Sequence, residues 1–114
     1  MNLAVIGSRN FKDMKVMSEH ITPLQPNTII SGGAKGADTL AKQYAEEHKI
    51  NIIEHKPDWK QFGRGAGIVR NKTIVESAEH ILAFWDGKSL GTKNSINYAK
   101  KLNKSITIIT FSLE

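Results

Sequence analysis

Thr28-Ile29-Ile30-Ser31-Gly32-Gly33-Ala34-Lys35-Gly36-Ala37-Asp38 runs from an apolar, β-branched segment through a glycine-rich turn into a helical pattern. The helical pattern is carried by Ala37, Leu40, Ala41, Tyr44, Ala45 and His48, which fall on one face at i, i+3, i+4, i+7, i+8 and i+11. Lys42, Glu46, Glu47 and Lys49 flank that stripe. A strand joined to an amphipathic helix by a tight glycine turn is one half of a βαβ unit, so the unit should repeat on either side.

It does. Further strand-length apolar runs occur at Leu3 to Ile6, Ile50 to Ile53, His80 to Trp85 and Ile106 to Phe111. Their near-continuous hydrophobicity is what strands covered by helices on both faces require. Met14, Met17 and Ile21 share a helical face that Pro23 and Pro26 bring to a stop. A second helix is predicted from about Gly67 to Ala78 with Ile68, Val75 and Ala78 inside, and a third from about Thr92 to Leu102 with Ile96, Ala99 and Leu102 inside, closed by Asn103 in the left-handed conformation. Strand and helix alternate throughout. Parallel strands need right-handed crossovers, so the expected fold is α/β, a three-layer αβα sandwich with a Rossmann-like parallel five-stranded sheet in the order 3-2-1-4-5. The longest irregular piece, Pro57 to Ala66, is expected to be a functional loop.

At 114 residues the chain fits one domain, 1–114, large enough to bury a core without staples. The absence of cysteine excludes disulfide frameworks, thiolate zinc sites and thiol nucleophiles. His20, His48, His55 and His80 have no metal-ligand spacing, so no metal or cofactor is expected. The opening Met1-Asn2-Leu3 lacks a basic leader and a secretion-signal core, and no run approaches membrane-spanning length, so a cytoplasmic protein without membrane contact is expected. Sixteen Lys and Arg against eleven Asp and Glu leave a net charge of +5, which suits an anionic ligand.

Ligands of doubly wound sheets bind beyond the carboxyl ends of the strands. The residues there are Gly7-Ser8-Arg9, then Ser31 to Asp38, then Asp86-Gly87-Lys88-Ser89-Leu90-Gly91-Thr92. Gly32, Gly33 and Gly36 precede a helix start, where backbone amides can hold a phosphate. The dinucleotide fingerprint is missing after the first strand, and Gly87-Lys88-Ser89 lacks the upstream glycine of a Walker A loop. Arg9, Arg64 and Arg70 are the only arginines; Arg9 sits at the sheet's carboxyl edge and Arg70 one turn into a helix, where a planar fork can grip phosphate, with Asn71 beside it. Trp59 in the polar loop is the candidate for stacking on a base, whereas Trp85 ends a buried strand. Ser31 and Ser89 have no histidine base. Asp38 and Asp86 stand either as general bases or, more in keeping with their positions, as ribose ligands or helix caps.

Gly7-Ser8-Arg9 with Phe11 and Asp13, Ser31-Gly32-Gly33-Ala34-x-Gly36-Ala37-Asp38, Pro57-x-Trp59 with Gly63, Ala66-Gly67 and Arg70-Asn71, and Ala83-Phe84-Trp85-Asp86-Gly87-x-Ser89-x-Gly91-Thr92 together resemble the YspA/YpsA-related branch of the SLOG superfamily. That superfamily also includes the DNA-processing protein DprA and the Lonely Guy phosphoribohydrolases. The resemblance implies a cleft for a nucleotide, dinucleotide or ADP-ribose-like molecule formed by Ser8, Arg9, Gly32, Gly33, Gly36, Asp38, Arg70, Asn71, Gly91 and Thr92, and a role in sensing or sequestering such a ligand. The phosphoribohydrolases carry a glutamate after their Gly-Thr turn, whereas here Gly91-Thr92-Lys93-Asn94 is followed by Ser95, which favours binding over glycosidic cleavage. Hydrolysis of a nucleotide is the alternative. Single-stranded nucleic-acid binding comes second to it, because the lysines are spread along the chain and form no block. The apolar loop residues Trp59 and Phe62, together with the superfamily's habit of placing sites near subunit contacts, imply a homodimer or a tetramer of dimers.

Overall fold

The structure, a computed structural model, describes residues 1–112. The strands are β1 (Asn2–Gly7), β2 (Thr28–Ser31), β3 (Asn51–Glu54), β4 (His80–Trp85) and β5 (Ser105–Thr110). The helices are α1 (Met14–Ile21), α2 (Ala37–Glu47), α3 (Trp59–Phe62), α4 (Ala66–Ser77) and α5 (Leu90–Lys101), with single 3₁₀ turns at Thr22–Leu24 and Gly63–Gly65. All strands are parallel, in the order β3-β2-β1-β4-β5, the Rossmann-like arrangement expected.

Successive residues of a strand point to opposite faces, and the two buried clusters follow that alternation. Leu3, Val5, Ile29, Leu82 and Phe84 pack under Met17 and Ile21 of α1 and Ala37, Ala41, Tyr44 and Ala45 of α2. Ala4, Ile6, Ile30, Ile81 and Ala83 pack under Ile74 and Val75 of α4 and Ile96 and Ala99 of α5. Both faces of the central strands are therefore dry, which explains their unbroken apolar runs. The edge strands are covered less: residues of β3 alternate between exposed and half-buried, and those of β5 are all at least partly exposed. Phe11, in the loop after β1, lies 4.7 Å from Phe84 ring to ring and closes one end of the first cluster.

Local signals set the helix ends. The Asp13 carboxylate accepts from the Val16 amide at 3.1 Å and starts α1, and Asn103 takes a φ of 57° just past α5. Three expectations are corrected. Pro57 to Ala66 is not an open loop, because Asp58 accepts from the Gln61 amide at 3.2 Å and winds α3, a 3₁₀ turn following at once. Ile68 is not inside but 53% exposed, since α4 turns Ala66, Ile74 and Val75 to the sheet instead. Leu102 lies past the last turn of α5 and is 39% exposed, and the buried face of α5 consists of Thr92, Ser95, Ile96 and Ala99.

Gly36 is where the β2–α2 turn meets the loop after β1. It adopts φ 79° and ψ −123°, and a Cβ there would collide with the carbonyl oxygens of Ser8 and Arg9. Gly87 shares the positive φ of 82° but has open space where a Cβ would sit. Gly36→Ala should therefore lower the stability measured by urea unfolding by about 2 kcal/mol or more, through strain plus displacement of the neighbouring loop. Gly87→Ala, which meets strain alone, should lose about 1 kcal/mol.

Candidate functional site

The carboxyl ends of β1, β2 and β4 open into a cleft of about 530 Å³ walled by the turns that follow them and by α4 and α5. Ser8 sits at its floor. Its amide donates to the Phe84 carbonyl at 2.9 Å, its carbonyl accepts from Phe11 and Ala37, and its Oγ accepts from the Asp86 amide at 3.1 Å. Those bonds couple the ends of β1 and β4 to the start of α2, so Ser8 positions the cleft more than it offers a free hydroxyl.

Asp86 is similarly engaged. Its Oδ1 accepts from the Ser89 amide at 2.8 Å and the Lys88 amide at 2.9 Å, and its Oδ2 accepts from Asn10 Nδ2 at 3.3 Å. The two backbone bonds, Ser89 foremost, hold this carboxyl below the ordinary aspartate range. It shapes the turn into α5. Asn10, which nothing in the sequence singled out, leaves its Oδ1 buried without a hydrogen-bond partner among the described residues, in the same cleft.

Asp38, on the first turn of α2, is 8% exposed and accepts from the Ala34 amide at 3.1 Å. Burial pushes its pKa up, against the Ala34 bond and the charge of Arg70. Arg70 reaches across from α4 with Nη1 donating to the Gly32 carbonyl and Nε to Asn71 Oδ1, both at 2.7 Å. Burial lowers the Arg70 guanidinium, the Asp38 carboxylate opposes that, and the like charge of Arg9 adds to it. Arg9 and Arg70 thus face the same space as mutually repelling cations, a setting that an anion between them would relieve.

On the α5 side, Gly91 and buried Thr92 complete the wall. The Ser89 hydroxyl turns to Thr92 Oγ1 at 3.3 Å, so no side chain caps the first amides of α5. Ser95 is buried and donates to the Gly91 carbonyl at 3.2 Å.

Of the residues picked from the sequence, the fold brings Ser8, Arg9, Asp38, Arg70, Asn71, Asp86, Gly91 and Thr92 to this cleft. Gly32, Gly33, Gly36 and Trp59 do not line it. The Arg70 guanidinium covers Gly32, Gly36 abuts the Ser8 and Arg9 carbonyls, and a Cβ at Gly33 would meet Glu54 Oε2 at 2.6 Å. Gly32 and Gly36 serve close packing, whereas Gly33 is exposed and takes a φ of 73°. Trp59, 61% exposed, lines instead an adjoining concavity of about 520 Å³ that shares Arg9, Arg70, Asn71, Gly91 and Ser95 with the cleft. There Arg64, Lys72 and Lys101 gather from separate elements, so cations scattered in the sequence become neighbours in the fold. Among the described residues no acidic or histidine cluster fit for a metal ion is present.

Residues 1–62 match the YspA, cpYpsA-related SLOG family. The gene 61 protein of Mycobacterium phage D29 is 32% identical over 119 aligned positions, which take in 94% of this chain and 93% of that protein. The chain belongs to this SLOG family. In fold it is similar to DNA processing protein A (DprA) of Streptococcus pneumoniae, with a TM-score of 0.82 at 20% identity over 98% of this chain, which spans about half (51%) of that protein. It is also similar to the DprA of Helicobacter pylori, a protein with a single-stranded DNA binding mode, with a TM-score of 0.75 at 19% identity over 100% of this chain and 67% of that one.

The raised pKa of Asp38 has a consequence for stability. A carboxyl that holds its proton more tightly when folded lowers stability as pH rises from the ordinary aspartate range through the folded value. Asp38→Asn, neutral at every pH, should be more stable than the parent protein in urea titrations at about pH 7, and the advantage should vanish at about pH 3, where Asp38 is protonated in both states. An equal difference at both pH values would mean that the ionised carboxylate is not disfavoured.

Proposed function

We propose that this SLOG-family protein binds single-stranded nucleic acid by seating the phosphate of one nucleotide between Arg9 and Arg70 at the carboxyl edge of the sheet. The observation that carries this reading is the convergence of those two guanidiniums on one cleft, where the charge of Arg9 disfavours that of Arg70. The fold shared with a DprA that binds single-stranded DNA supports the choice of a strand as the physiological form of the ligand. Binding without turnover is favoured by the polar side chains available: Asp86 is engaged by backbone amides and Ser95 by its own helix.

A second reading is a free nucleotide-derived ligand, ADP-ribose-like or cyclic, that the protein senses or sequesters. The unpartnered Asn10 Oδ1 favours it, because a buried acceptor at the cleft wall fits a donor on a small molecule that fills the pocket. Self-association fits the exposed Phe62, Val69 and Leu90.

Fluorescence anisotropy with a labelled oligodeoxythymidylate tests the first reading. Arg9→Ala and Arg70→Ala should each weaken binding by about 1.5–3 kcal/mol, the scale of a charge-assisted hydrogen bond, with Arg70→Lys restoring only part. Affinity should fall as salt rises. Tight calorimetric binding of ADP-ribose together with no oligonucleotide binding would replace the first reading by the second.

A further inference from the structure

We infer that the concavity beyond Arg9 and Arg70, between α3, α4 and α5, is a second nucleotide subsite, which takes the unit next in the strand to the one in the cleft. The inference rests on the reading that the cleft holds a nucleotide phosphate, and it adds where the strand goes and what holds it.

The lining is the first argument. Arg64, Lys72 and Lys101 join Arg9 and Arg70 there, and among the described residues no carboxylate lines the concavity. Of these five cations Arg70 has a facing carboxylate, Asp38, and the others crowd a hollow whose positive charge an entering anion would relieve. The aromatic and apolar lining is the second. Trp59 presents an open ring and Ile68 an open side chain to the same hollow, a pairing that suits the flat face of a base better than a bare phosphate ion. Lys72 Nζ stands 5.5 Å from the centre of the Tyr98 ring, whose hydroxyl donates to Glu76 at 2.6 Å, so Tyr98 forms a fixed wall and Trp59 is the platform.

The glycines are the third argument. Gly67 and Gly91 lie in the first turns of α4 and α5 and both line the concavity. Neither has a positive φ, and a Cβ on either would meet nothing within 4 Å. Glycine is unfavourable inside a helix, and neither backbone conformation nor packing within this chain calls for it here. Both therefore leave bare backbone on the wall of the concavity, open to close approach by a ligand.

Continuity is the fourth. Arg9, Arg70, Asn71, Gly91 and Ser95 border both hollows, so a chain of linked nucleotides can pass from one to the other without leaving the protein surface. A mononucleotide fills only one. The recognised class is therefore an oligonucleotide of at least two units, read by stacking and charge and not by base-specific hydrogen bonds.

The experiment compares dTMP, the dinucleotide and a short oligodeoxythymidylate by calorimetry on the full chain. The oligonucleotide should bind about tenfold or more tightly than dTMP, the effect of one added stacked base. Trp59→Ala and Lys101→Gln, both changes of exposed side chains, should remove most of that advantage and leave dTMP affinity unchanged. With Trp85 replaced by Phe, Trp59 is the sole tryptophan, and its fluorescence should be quenched by the oligonucleotide and not by dTMP. Equal affinity for dTMP and oligonucleotide, with Arg70→Ala weakening both, would overturn the second subsite and spare the cleft reading. Indifference of both ligands to Arg70→Ala would overturn the cleft reading itself.

Discussion

The backbone and hydroxyl of Ser8 form the junction on which the carboxyl edge of this protein depends. Its amide bonds to β4, its carbonyl to the first amide of α2 and to Phe11, and its Oγ to the amide of Asp86. Three loops that would otherwise move separately are thereby held in one frame. The frame is possible only because Gly36 lets α2 approach the Ser8 and Arg9 carbonyls. With Phe11 pulled in against Phe84, the same loop that carries Arg9 into the cleft also seals the core below it.

Above that frame the electrostatics oppose stability. Asp38 is kept buried although burial disfavours its ionised form, and Arg70 is half-buried with the charge of Arg9 against it. An apolar pair would pack in the same place without those penalties. Arg70 nevertheless spans from α4 to the Gly32 carbonyl, and Asp38 ties back the Ala34 amide, so the pair also pins the glycine turn. Retaining unfavourable charge at a cleft is the pattern of a site kept for its ligand.

The turn between β2 and α2 looks in sequence like a phosphate cradle, yet two of its glycines are filled from within the protein, with Arg70 over Gly32 and carbonyl oxygens against Gly36. Glycines with open space around them, Gly67 and Gly91, line the adjoining concavity. A glycine marks close approach, but only the folded chain tells whether its neighbour is the protein or something else.

The alternation of strands and helices, their number and the sheet order were legible from the sequence, because hydrophobic periodicity is a local property and parallel crossovers have a fixed hand. Arg9, Asp86 and Thr92 were legible as a group for a related reason, since the carboxyl end of a strand is known once the strand is, whereas Arg70 with Asn71 beside it stood out as one of three arginines, one turn into a helix. The misreadings at Pro57 to Ala66 and Ile68 came where glycine and proline outweighed a single capping bond from Asp58, and where apolar Ile68 and Val69 stand on the exposed side of α4. What only the tertiary structure decided is the meeting of Arg9, Trp59, Arg64, Lys72 and Lys101. Those residues come from different elements and carry no shared period, and in a chain with sixteen basic side chains nothing local separates the ones that gather from the ones that stay apart. Charge acts through space, and the distances through which it acts are set by the fold and not by the order of residues along the chain.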